Sequence, residues 1–162
     1  KLDSIRQITA REEVVIVLEG KTVKADQAEF FPREQKANLD GAASVATKGA
    51  YLSGETIRTR SGEIVIAGTE EAGRAQMILT ETGGLGIQGA SALSSETIVL
   101  ADTIIMREVK AENHFLFSGS VEVMSGAVQM SSSDMQIVAN KSASELRIKK
   151  LALFGVAVFT LQ

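Results

Sequence analysis

Apolar and polar residues alternate along most of this chain, broken at short intervals by glycine, and this period of two predicts strands rather than helices. The clearest stretch runs from Phe115 to Leu161 (FLFSGSVEVMSGAVQMSSSDMQIVANKSASELRIKKLALFGVAVFTL). Phe115, Phe117, Val121 and Val123 fall on one face of an extended chain, while Ser118 and Glu122 point away. Gly119 allows a bend, and Gly126 permits a turn before Val128 and Met130. The unit recurs in part as Leu151, Leu153, Gly155, Val156 and Val158. Such repetition of strand, glycine break and strand predicts hairpins stacked along an axis.

The rest of the chain reads the same way. The run VVIVL that ends at Leu18 is a strand, buried on both faces or on one. Val23 and Ala25 alternate with Lys24 and Asp26, and Phe31-Pro32 ends that strand because proline cannot donate into a ladder. Strands are expected again around Leu39, Leu52, Ile57 and Ile64, with turns at Lys48-Gly49 and Ser61-Gly62 and a polar loop from Gly68 to Arg74. Gly83-Gly84, between Met77-Leu79 and Leu85-Ile87, reads as a hairpin turn. The total is about a dozen strands. A short helical turn over Ser142 to Lys150 is the one rival, and Leu146 and Ile148 at spacing two favour strand. Three strands carry a small residue followed by aspartate: Ala25-Asp26, Ala101-Asp102 and Ser133-Asp134. The irregular spacing of the glycine units disfavours a strict solenoid with fixed rungs and fits an elongated roll of variable hairpins.

Composition narrows the chemistry. The 162 residues include no Trp, one Tyr, one Pro and no Cys, so disulfides and thiolate metal sites are excluded. The net charge of −3 comes without a dense basic cluster, which argues against a nucleic-acid partner. The apolar run from Leu151 to Leu161 is interrupted by Gly155 and is shorter than the roughly 20 residues of a spanning helix. His114 is the only histidine, so a multi-histidine metal site is impossible and no Gly-x-Ser-x-Gly elbow accompanies it. Asp26, Asp102 and Asp134 recur at equivalent places, which suits a turn or strand-opening role better than a pair of glycosidase acids. No catalytic residue, metal ligand or cofactor is assigned.

The apolar faces remain. Phe115, Phe117, Val121, Val123, Val128, Met130, Met135, Ile137, Leu146, Ile148, Leu151, Leu153, Val156 and Val158 would line one inner surface if the hairpins stack in register. They fill a closed core or line a trough for an acyl chain, whose burial is worth about 0.8 kcal/mol per methylene. Arg147, Lys149 and Lys150 form a solvated face or a rim for phosphates, and Arg58 and Arg60 share a face.

Phe117-Ser-Gly-Ser-Val121-Glu-Val123, then Met130 to Val138, then Leu151 to Leu161 resemble the repeat of the OstA-like proteins. That family includes lipopolysaccharide-transport protein A, the periplasmic domain of the anchored protein C and the amino-terminal domain of the outer-membrane translocon. A weaker copy lies near residues 18–52, with Ala25-Asp26-Gln-Ala28-Glu-Phe30 and Leu39-Asp-Gly41 in order, and the clearest copy spans 113–162. Gly54 to Lys110 follows the pattern poorly, and Ser120 stands where the family commonly has Asn. The resemblance implies an all-β fold, a single elongated, twisted antiparallel β-jelly roll over residues 1–162. It implies a non-enzymatic periplasmic protein that carries lipopolysaccharide or a related lipid and joins other OstA-like domains, or copies of itself head to tail, through edge strands. Because the chain opens on Lys1, a signal peptide or anchor is expected to have been removed. The rival readings are a structural scaffold that polymerises without ligand and a carbohydrate-active jelly roll.

Overall fold

The computed structural model describes residues 5–18, 21–47, 49–71, 73–80, 96–126, 128–141 and 146–161, with Leu18, Thr80, Lys141, Leu146, Arg147 and Leu161 described by backbone alone. Strands β1 (Ile8–Leu18), β2 (Lys21–Phe31), β3 (Lys36–Thr47) and β4 (Ala50–Arg60) form an antiparallel meander. Shorter strands follow: β5 (Glu63–Ala67), β6 (Ala75–Thr80), β7 (Glu96–Ala101) and β8 (Thr103–Val109). The chain closes with β9 (Glu112–Ser125), β10 (Val128–Lys141), β11 (Leu146–Phe154) and β12 (Val158–Leu161). All belong to one 12-stranded sheet. The expected hairpin at Gly83-Gly84, with Leu85 and Ile87, lies outside the described residues. The helical rival over 142–150 gives way to strand from Leu146 onward, as the spacing of Leu146 and Ile148 favoured.

The long strands do not run straight. The lower part of β4 pairs with β5 and its upper part with β6, and β9 divides in the same way between β8 and β7. Each long strand therefore belongs to two half-sheets that meet at a corner, and the inward residues of both pack into one hydrophobic core. This is the β-jelly roll expected from the sequence.

The corner is built by two kinds of strand in alternation. In β1, β3 and β9 a bulge with positive φ sets inward positions four apart: Ala10 to Val14, Leu39 to Ala43, Phe117 to Val121. The bulge residues are Glu12-Glu13, Gly41-Ala42 and Gly119-Ser120. In β2 and β10 the spacing is three, from Ala25 to Ala28 and from Ser132 to Met135, so two consecutive residues face outward. Because each bulge adds one residue against its neighbour, the ladder turns without losing the apolar face of either half-sheet. Gly41 and Gly119 thus bend continuous strands and end none.

Glycine is required at these bends for a second reason. A Cβ on Gly41 or Gly119 would overlap the carboxylate of Asp26 or Asp102, and one on Gly155 would stand 2.6 Å from Ser133 Oγ. The third member of the series is therefore Ser133, and the expected equivalence of Asp134 with Asp26 and Asp102 is off by one residue. Both strands have two outward residues between buried ones, and Ser133, like Asp26, is the first of its pair, while Asp134 matches Gln27. Asp134 lies opposite Ser118 and Phe154, and its backbone carbonyl accepts a 2.8 Å hydrogen bond from Ser132 Oγ.

Arg74 locks the Gly119 corner. Its guanidinium donates to the carbonyls of Gly119 and Ser120 (2.6 Å to the latter), and it pairs with Glu122 at 3.2 Å and with Asp102 at 3.5 Å. The polar loop from Gly68 to Arg74, closed by paired bonds between Thr69 and Gly73, delivers this side chain. Arg74→Met should lower stability by about 1–2 kcal/mol, since it removes the guanidinium from two bulge carbonyls and two carboxylates, while solvent and the bond from the Asp102 N–H to the Gly119 carbonyl repay part of the loss. Urea denaturation of the two proteins checks this.

Candidate functional site

The inward face in the second half of the chain is tightly filled. Phe115, Phe117, Val121, Val123, Val128, Met130, Met135 and Ile137 are all buried, while Ile148, Leu151 and Leu153 on β11 are half-buried and packed against them. Large side chains do the filling: Phe117 lies between Ile104 and Met135 in register, and Phe115 between Met106 and Ile137. Leu146 belongs to β11 by its backbone, and its side chain lies outside the described residues.

Two expected members of this face stand elsewhere. Val156 is 83% exposed in the bend before β12, and Val158 is 53% exposed. Val158 pairs with Ser131, whereas Phe159 pairs with the buried Met130. Counted by two from Leu151 and Leu153 through Gly155, Phe159 keeps their parity, whereas Val156 and Val158 lie at odd spacing from them and off that face.

A predominantly apolar space lies at the other end. An apolar cavity of about 420 Å³ sits between the half-sheets beside β1. The buried Val23 and Leu39 form its inner wall, with Ile16, Phe30 and Ala37 around them. Its outer margin is Ile8, Thr59 and the turn Phe31-Pro32-Gln35-Lys36. The volume falls in the usual range for a small-ligand site, and the lining is of the usual kind. No sequence signal singled these residues out individually. The available signal was size: the inward face here carries Ala10, Ala25, Ala28, Ala37 and Ala43, where the second half carries Phe and Met.

Both ends of the sheet are bare. Among the described residues β1 pairs only with β2, and β11 and β12 pair only with β10. β1 resolves as a one-sided strand, with Val14 and Ile16 inward and Val15 and Val17 exposed. Phe154, Val156, Val158 and Phe159 are exposed at the opposite end. Exposed apolar side chains therefore gather on the two edges that carry unpaired backbone groups.

The charged groups are largely occupied with one another. Lys149 donates to Glu112 at 2.7 Å and His114 Nε2 lies 3.1 Å from the same carboxylate, which these two contacts, Lys149 first, hold below the usual carboxylate range. Of the expected basic rim, Lys149 is thus engaged, Lys150 is exposed, and the side chain of Arg147 lies outside the described residues. Arg58 reaches Asp40 at 2.7 Å. Asp102 is held by Arg74, and no cluster of acidic or histidine side chains suited to a metal occurs among the described residues. Among those residues, no helix is long and apolar enough to cross a membrane.

Comparison with known proteins agrees with this architecture. No family model matches the sequence, and no curated protein matches it either. Among solved structures, the chain is similar to LptH of Pseudomonas aeruginosa, the LptA-homologous periplasmic component of the conserved lipopolysaccharide transport device. The match has a TM-score of 0.61 and 13% identity and covers 88% of this chain and 94% of that one. The fold is therefore an OstA-like β-jelly roll of the LptA type.

Proposed function

We propose that this chain is a non-enzymatic periplasmic lipid-binding protein that carries lipopolysaccharide acyl chains between membranes. The observation that supports this most directly is the apolar cavity, which is backed by the core residues Val23 and Leu39 and opens beside β1, a strand paired on one side only among the described residues. Acyl methylenes leaving water for such a lining gain about 0.8 kcal/mol each, so transfer needs no catalytic group. The likeness to LptH, a component of lipopolysaccharide transport, points the same way. In this reading residues 1–162 form one domain, and the apolar edges at β1 and at β11–β12 join copies or related domains head to tail by strand addition. Phe117, Val123 and Ile137 belong to the acyl-bearing interior once its packing parts, and Leu39 and Phe30 receive the chain first.

The test is photo-crosslinking from Leu39 and Phe117 in cells that make lipopolysaccharide. Lipid adducts are expected at Leu39, with fewer at Phe117; adducts only to protein at both positions would contradict carriage. The filled second half of the core, where Val121 and Ile137 have no exposure, favours a ligand-free scaffold as the second reading, and that same protein-only result would support it.

A further inference from the structure

Resting on the acyl-carriage reading, we infer that the cavity beside β1 selects amphiphiles with an anionic head, and that Lys36 is the residue that reads that head. The chain-binding part of the cavity is apolar, whereas its margin is cationic. Lys36 lines the cavity, and its ammonium lies 4.7 Å above the centre of the Phe31 ring, so the charge is held over the aromatic lip of the opening. Its acidic neighbour, Glu34, stands 3.6 Å away, beyond hydrogen-bond reach, with a side chain 60% exposed.

The residue opposite Lys36 on β4 is Arg60. Like charges directly across a ladder repel each other and are not a stabilising choice for a sheet. Arg60 has Glu63 as its partner on the other side, but that carboxylate is held by Arg107 at 2.6 Å. Lys36 thus stands at the margin of an apolar cavity with a second cation opposite it on the adjoining strand, and of the carboxylates beside the two, Glu34 is loosely held and Glu63 is engaged by Arg107. A carboxylate or phosphate brought in at the end of an acyl chain would relieve the repulsion and replace the weak contact to Glu34. A neutral head would do neither. This gives the mouth a chemical preference that the apolar lining cannot supply.

The experiment titrates a fluorescent long-chain fatty acid and its methyl ester into the purified protein, with Lys36→Met and Lys36→Glu compared after circular dichroism has shown each variant folded. The wild type should bind the acid more tightly than the ester, and only the acid's affinity should fall as salt is raised. Lys36→Met should weaken the acid roughly fivefold and leave the ester unchanged, with Lys36→Glu weakening the acid further. Equal binding of acid and ester by the wild type overturns the inference. Equal weakening of both probes in Lys36→Met overturns it too, because that pattern belongs to lost packing of the lysine stem. If neither probe binds, the carriage reading falls and this inference falls with it.

Discussion

Phe117→Ala is expected to lower stability by about 3–5 kcal/mol, among the largest losses available to a single substitution in this protein. The ring is 1% exposed, and its neighbours across the ladder are Ile104 on β8 and Met135 on β10. Those neighbours belong to strands fixed on both sides by pairing, so the space cannot close by moving one of them. The loss therefore includes most of the term for an unfilled void as well as the lost transfer of the ring. Urea denaturation with a fixed slope would measure it. A loss under about 1 kcal/mol would mean that the second-half core is loosely filled, since exposed substitutions typically fall within ±0.5 kcal/mol.

Gly119→Val should be nearly as damaging, on the order of 3 kcal/mol, by a different route. The residue sits at φ +89, where a β-branched side chain is strained, and its Cβ would collide with the Asp102 carboxylate. Asp102→Ala in the same chain should recover the part due to collision and leave the part due to backbone strain. The double-mutant cycle separates them. If Asp102→Ala recovers nothing, the close packing of that carboxylate on the bulge is not what excludes a side chain there.

The architecture was legible because the physics that encodes it is local. Alternation at Phe115, Phe117, Val121 and Val123 crosses the Gly119 bulge without changing parity, so a plain count of two keeps the right face. The same count carried past Gly155 reaches Phe159, opposite Met130, and not Val156 or Val158, which lie at odd spacing; and the match of Ser133-Asp134 to Ala25-Asp26 is one residue late, since the buried residue before the outward pair is Ser132, leaving Ser133 against Gly155. Arg58 and Arg60 do share a face, as their spacing indicated, but periodicity gives no sign that Arg58 is engaged by Asp40 or that Arg60 faces Lys36. Those facts depend on register between strands. The cavity beside β1 was missed for a related reason: the sequence shows where apolar residues turn inward, whereas empty space depends on their summed volume across several strands. Ala37 is the small residue in the cavity's lining, and the other inward alanines of β2 and β3 lie in the neighbouring core, where the second half carries Phe and Met.

The two spacings at the corner bear on how such a chain can change length over evolutionary time. Within either arm of a strand, inserting or deleting one residue throws every side chain beyond it onto the wrong face. At the corner a stretch with one residue more or one fewer is already in use in the adjoining strand, so single-residue indels there leave both greasy faces intact. Length drift should accumulate at these bends and be purged from the straight arms, leaving descendants whose motifs fall at uneven intervals, as the glycines of this chain do.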